Sequence, residues 1–155
     1  MTASSDNSTN APGITLELPI RWGDMDALGH VNNTIYFQFC ESARMAYFDA
    51  IDLTRFQSKP TDGPAIVTAN LSFRRQLHYP GTVLASANVT KVSGRSFVLS
   101  YRIRNAADGE TAADGDSVCV WVDYDAGKAM PLPDEMVKAF AEREQNEELL
   151  KRAQD

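Results

Sequence analysis

Asp24, Asp26, Gly29, His30, Asn32 and Asn33 lie within one run, Asp24-Met25-Asp26-Ala27-Leu28-Gly29-His30-Val31-Asn32-Asn33, with Tyr36 just beyond it. Two carboxylates, an imidazole and two amides are thereby crowded between a strand pattern and a helix pattern. A helix begins with N–H groups that no earlier carbonyl of the helix accepts from, and with partial positive charge. A carboxylate beside such donors is suited to attack a carbonyl, directly or through water, while the donors stabilise the oxygen.

Each of these residues also has a plainer use. Asp26 can close an Asx-turn on its own loop. Asp24, at the loop's start, is expected to bond backbone groups and shape the turn rather than react. His30 stays open between orienting substrate or water and a structural hydrogen bond. Asn33 is read as the helix N-cap, with its own N–H as oxyanion donor, and Asn32 as a loop amide. Gly29 is expected to adopt a backbone conformation that other residues avoid, and Val31 and Tyr36 to pack beside a substrate pocket. Glu41 is expected to pair with Arg44, and Cys40, on an apolar helix stripe, to sit in the core. Arg74, Arg75 and Arg95 fit phosphate contacts or solvated strand ends equally well.

The surrounding elements must hold that run in place. Ile14, Leu16, Leu18, Ile20 and Trp22 alternate with Thr15, Glu17, Pro19 and Arg21. This is the period of a half-buried strand, and Pro19 puts it at a sheet edge or bulge. Residues 34–51 carry Ile35, Tyr36, Phe39, Cys40, Ala43, Ala46, Tyr47 and Ala50 at steps of three and four, widened by Phe37 and Phe48, which predicts a long, largely buried helix. A polar loop spans 52–63. Strand alternations follow at 65–74, 83–89 and 97–104 and around Val118, Val120 and Val122, separated by turn sequences. The short connections predict antiparallel neighbours. After Pro131-Leu132-Pro133, a second helix is expected over 134–153, docked by Met136, Val137, Phe140 and Ala141. Its charged remainder beyond Arg143 is expected to reach solvent or a second subunit.

The order is strand, long helix, four strands, helix. It predicts an α+β two-layer domain whose sheet edges association would cover. Residues 1–13 read as a disordered leader, 14–133 as one domain and 134–155 as its C-terminal helix.

Bulk properties narrow the partners. The 155 residues are 43% hydrophobic and 23% charged, ordinary for one globular domain. A net charge of −6 argues against nucleic acid as the main partner. It leaves room for an anionic small ligand, because Arg74, Arg75, Lys91, Arg95, Arg102 and Arg104 make the central region more basic. No apolar run approaches the roughly 18 residues of a membrane span. Cys40 and Cys119 are too few for a disulfide framework, which predicts a reducing cytoplasm, and with only His30 and His78 no zinc spacing arises.

The run Trp22-Gly23-Asp24-Met25-Asp26-Ala27-Leu28-Gly29-His30-Val31-Asn32-Asn33, with Tyr36 and Glu41-Ser42-Ala43-Arg44, resembles the hotdog-fold acyl-CoA thioesterases of the 4-hydroxybenzoyl-CoA thioesterase type. The part Asp26 to Asn33 is also similar to plant acyl-carrier-protein thioesterases. The resemblance implies a hotdog fold, a five-stranded antiparallel sheet wrapped around one long buried helix, with a C-terminal helix added. It implies hydrolysis of an acyl-CoA without metal or redox cofactor, coenzyme A being part of the substrate. Asp26 then matches the reacting carboxylate, as nucleophile or general base, assisted by His30. The N–H at Asn33 matches the carbonyl-polarising donor, and Gly29, Val31 and Tyr36 border the substrate. It further implies a homodimer or homotetramer with sites between subunits. In the run before the fourth strand that grips the CoA phosphates, only Arg95 matches.

Two rivals are weighed. A hotdog hydratase or dehydratase would carry Gly-Asp-x-Asn-Pro-x-His, with His five after Asp. Here His30 is four after Asp26 and six after Asp24, and Asn-Pro is absent. A non-catalytic acyl-CoA-binding protein would keep the fold without needing Asp26.

Overall fold

A curled antiparallel sheet packs against one long helix. The computed structural model describes residues 11–154, so residues 1–10 of the expected leader lie outside it. In chain order the elements are β1 (Ile14–Ile20), α1 (Asn33–Ala50), β2 (Asp62–Phe73), β3 (Gly81–Val92), β4 (Ser96–Asn105), β5 (Thr111–Asp123), β6 (Lys128–Ala129) and α2 (Asp134–Glu144). The strands run in the order β1-β3-β4-β5-β2, all neighbours antiparallel, with the two-residue β6 added against β5. This is the α+β hotdog arrangement that the motif and element order imply. Pro19 lies on β1, an edge strand, where its missing N–H leaves no gap in a central ladder.

The core lies between α1 and the inward faces of β3, β4 and β5. Val83, Ala85, Ala87 and Val89, then Phe97, Leu99, Tyr101 and Ile103, are buried with Tyr36, Phe39, Cys40, Ala43 and Tyr47 of the helix. From α2, Met136, Val137, Phe140 and Ala141 are buried as expected, and the Phe140 ring packs 4.8 Å from that of Phe97.

Several local expectations are corrected. Trp22 does not continue the β1 alternation. The chain turns into a 3-10 helix at Trp22–Asp24, and the indole is exposed. In β5 the inward face carries Ser117, Cys119 and Trp121, while Val118, Val120 and Val122 are only half-buried on the other side. Two apolar alternations compete there, and the side with the large indole takes the core. The loop 52–63 contains a 3-10 helix at Leu53–Phe56, and β2 begins at Asp62.

The second helix is shorter than its pattern. It ends at Gln145, whose left-handed φ of 53° breaks the helix, and Asn146 caps a 3-10 turn at Glu147–Lys151. Glu144 and Leu149, beyond Arg143, are buried rather than solvated. Finally, α1 buries one face only, leaving Phe37 and Met45 exposed. On β2, an edge strand kinked by a bulge between Ile66 and Thr68, Ile66, Val67 and Phe73 are exposed too. No helix among the described residues is long and apolar enough to cross a membrane.

Candidate active site

The motif loop is built from short-range bonds. Asp24 is 2% exposed. Its carboxylate accepts from the Arg21 N–H at 2.8 Å and from the Arg21 guanidinium at 2.9 and 3.2 Å, closing the 3-10 turn, and its carbonyl accepts from the Asn32 N–H at 3.0 Å. Asp24 therefore shapes the loop, as expected. Asp26 opens a tighter turn. Its N–H donates to His30 O at 3.0 Å, its carbonyl accepts from the Gly29 N–H at 3.1 Å, and its Oδ1 accepts from the Leu28 N–H at 2.8 Å. Gly29 sits at φ +86°, the left-handed region that a side chain would strain, which gives this glycine its role in the turn.

The tip of α1 is arranged one residue earlier than the sequence suggests. Asn32, not Asn33, is the N-cap: its Oδ1 accepts from the Thr34 N–H at 2.9 Å, and its carbonyl accepts from the Ile35 N–H at 2.9 Å. Asn33 is thereby the first helical residue, and its N–H is left without an acceptor among the described residues. The two neighbouring asparagines are the same residue type, so propensity alone does not choose between them.

The segment after β2 straps this loop down. The Val31 N–H donates to Leu77 O at 2.8 Å, and the Tyr36 hydroxyl donates to Arg75 O at 3.1 Å. His78 Nδ1 lies 3.0 Å from Gly29 O, and the Tyr79 N–H donates to the Met25 sulfur at 3.3 Å. Burial pushes the Tyr36 phenol above its ordinary value, which keeps it a neutral donor.

Between loop, helix tip and strap opens a cleft of about 290 Å³, lined by Asp26, His30, Val31, Asn33, Tyr36, Phe73, Arg74, Arg75 and Gln76. Seven of the residues singled out from the sequence thus meet in one place, and Gly29 lies in the turn beside them. The Tyr36 and Phe73 rings stand edge-on, 5.2 Å apart. Arg74 is already engaged, donating to both carboxylate oxygens of Asp114 at 2.7 and 2.9 Å. That pairing holds Asp114 below the usual carboxylate range. Arg75 is held more loosely, 3.6 Å from Glu110.

Arg95 is not in the cleft. It lies at the β3–β4 turn, where its carbonyl accepts from Trp121 N, while the Arg74 N–H bonds Ala112 O. Nine residues of β5 separate those two points, roughly 30 Å of strand. Cys40 and Cys119 are buried, and burial pushes their thiols up to about 12 and about 11, which leaves them un-ionised packing groups. The Glu41–Arg44 pair forms only at 4.0 Å, because the Arg44 guanidinium also turns inward to donate to Tyr101 Oη at 3.2 Å.

Sequence reasoning missed Phe73 and Gln76 as cleft residues and His78 as part of the strap. Phe73 reads as the last inward residue of a strand alternation, and nothing in the sequence brings His78 to Gly29. Among the described residues no three His, Cys, Asp or Glu side chains cluster as a metal ligand set.

The hotdog domain thus sets an acid, Asp26, and an open helix-tip N–H, that of Asn33, along one cleft. Residues 20–140 match the thioesterase-like superfamily, and the chain belongs to that family of thioester hydrolases. Among its relatives, the long-chain acyl-CoA thioesterase FadM of Escherichia coli is 25% identical over 135 residues, covering 87% of this chain and 98% of FadM. The solved structure of PA2801 from Pseudomonas aeruginosa, named as a candidate thioesterase, superposes with a TM-score of 0.73 at 32% identity, covering 81% of this chain and 95% of that one. The DHNA-CoA thioesterase of Staphylococcus aureus shares the fold, with a TM-score of 0.75 at 20% identity over 90% of this chain and 96% of its own.

Proposed function

We propose that this protein hydrolyses acyl-CoA to a carboxylic acid and free CoA, with Asp26 as the reacting carboxylate and the Asn33 N–H polarising the thioester carbonyl. One observation carries the reading: Asp26 and the unaccepted N–H of Asn33 border the same cleft. The acyl-CoA substrate draws support from the name of FadM.

The Leu28 N–H occupies Asp26 Oδ1, which leaves Oδ2 for chemistry. In one route Oδ2 attacks the thioester carbon. The C–S bond breaks and the thiolate leaves; one water then hydrolyses the acyl anhydride to the free acid, and the proton this leaves on Asp26 passes to the thiolate, which restores the carboxylate. In the other, Asp26 takes a proton from water as that water attacks, and the proton passes to the departing thiolate. Either way negative charge grows on the carbonyl oxygen, where a helix-tip N–H is most effective. His30 lines the same cleft and orients the water or the acyl group. Neither route calls on a metal or redox cofactor.

Arg75, the more loosely paired arginine at the cleft, is the first choice for a CoA phosphate. Arg95, far along the sheet, falls to a neighbouring subunit. Support for a homodimer comes from β2, an edge strand with exposed Ile66, Val67 and Phe73, of which Phe73 lines the cleft. Pairing β2 with its copy would cover that edge. The two free, buried cysteines fit a reducing cytoplasm.

The test is thiol release from acetyl-, benzoyl- and palmitoyl-CoA by the wild type and by Asp26→Asn. Loss of turnover of about a thousandfold or more, with unchanged thermal unfolding, is expected. Undiminished thiol release by Asp26→Asn would reject the reading.

A further inference from the structure

We propose that His78 is a positioning residue for Asp26: through its Nδ1–H it holds the Gly29 carbonyl, and so fixes the turn that aims the carboxylate into the cleft. The proposal rests on the reading of Asp26 as the reacting acid. It adds a residue from a distant segment that does not line the cleft.

The Asp26 turn is closed by three bonds of its own, Asp26 N–H to His30 O, Gly29 N–H to Asp26 O and Leu28 N–H to Asp26 Oδ1. All three lie within the turn, so none of them fixes it relative to the helix tip. Gly29 has no side chain, its φ is +86°, and an added Cβ would meet nothing within 4 Å. Packing therefore does not restrain the outer side of the turn, and Leu28 at its tip is 81% exposed. The base of the turn is held by the bonds from Val31 N–H to Leu77 O and from Asn32 N–H to Asp24 O, and the His78 ring restrains its outer carbonyl. Its Nδ1 stands 3.0 Å from Gly29 O. A carbonyl oxygen only accepts, so Nδ1 carries the hydrogen.

The backbone that carries the imidazole is itself anchored. Leu77, its neighbour, is 1% exposed and accepts from the Val31 N–H at 2.8 Å, and the next residue's N–H reaches the Met25 sulfur. The His30 ring lies edge-on to His78 with centroids 6.4 Å apart, and the peptide whose carbonyl His78 holds joins Gly29 to His30. Asp26 N–H bonds the carbonyl of that same His30. Tilting the Gly29–His30 peptide therefore moves Asp26 and the cleft-lining imidazole together, and a displacement near 1 Å costs about a hundredfold in rate.

The experiment compares the intact protein with His78→Ala and His78→Asn, using whichever of acetyl-, benzoyl- and palmitoyl-CoA the wild type cleaves fastest. The amide nitrogen of Asn stands close to where Nδ1 stands and donates in its place. His78→Ala is expected to lower kcat about ten- to hundredfold with KM within about twofold, and the exposed site predicts an unchanged Tm. His78→Asn is expected to recover most of the loss. Nitrogen-15 NMR of the wild type is expected to show Nδ1 protonated at neutral pH.

A wild-type kcat in His78→Ala, equal losses in both variants, or an Nε2–H tautomer would each overturn the proposal while leaving the Asp26 reading intact. An active Asp26→Asn protein would overturn both.

Discussion

The Tyr47 hydroxyl donates to the Glu144 carboxylate at 2.9 Å, joining the buried face of α1 to the last turn of α2. Both residues are buried, and Tyr47 is 0% exposed. The same carboxylate accepts from Asn88 Nδ2 at 2.7 Å and from the Val89 N–H at 3.2 Å. Val89 stands where β3 shifts register against β4, so the ladder slips at the residue whose N–H Glu144 takes. One side chain thus ties both helices to the central sheet. Next to it, Arg143 and Gly13 exchange two bonds that fasten the chain ahead of β1.

Glu144→Ala should therefore destabilise the fold without touching the chemistry. It leaves the Tyr47 hydroxyl and the Val89 N–H buried without an acceptor, at a combined cost of about 3 kcal/mol. For a domain of this size that lowers Tm by about 6–12 °C. Thermal unfolding followed by circular dichroism checks it, with thiol release at low temperature as the control. A Tm within about one degree of wild type would show that the carboxylate contributes nothing net.

The β2 edge makes a second prediction. Val67 is 56% exposed on a twelve-residue edge strand and has Ile66 as its exposed neighbour. A lysine there is tolerated by a monomer but places like charges at a two-fold strand pairing. Val67→Lys should convert the wild-type assembly to monomer in sedimentation velocity. If the neighbouring subunit completes the cleft, turnover should fall with it, about tenfold or more. A variant that still sediments as the wild type does would remove β2 from the interface.

What could be read from the residues divides along sequence distance. The acid, the left-handed glycine and the helix tip lie in one continuous run, so turn and capping chemistry reveal them together. The opposite wall of the cleft, Phe73 to Gln76, arrives through β2, and only the β2–β5 register brings it there. The misplaced cap reflects two adjacent asparagines with equal propensity. In β5, Val118, Val120 and Val122 form as good an alternation as Ser117, Cys119 and Trp121, and the choice belongs to tertiary packing. The second helix continued in pattern past Gln145, but the chain turns there, with Glu144 drawn into the core. The apolar residues of β2 alternate as a core strand's do, yet among the described residues nothing covers Ile66, Val67 and Phe73.

The last prediction concerns acid stability at the far end of β2. Asp62 is 3% exposed. Its Oδ2 accepts from the Ser58 hydroxyl, from the Ser58 N–H at 2.8 Å and from the Lys59 N–H at 3.4 Å, while Oδ1 is buried without a partner among the described residues. The Ser58 hydroxyl is the largest influence, and it holds the carboxyl below its ordinary value of 3.8 despite the opposing effect of burial. A depressed folded-state pKa means that the unfolded chain binds the proton more readily. The stabilisation is then complete above the unfolded value and is lost as pH falls through the lower folded one. Ser58→Ala removes the principal cause. It should therefore be less stable than wild type near pH 7, with the deficit closing as pH drops from about 4 towards 2. Urea unfolding of both proteins at about pH 7, 4 and 3 measures this. A deficit that stays constant over that range would mean that the serine acts through packing alone and not through the ionised carboxylate.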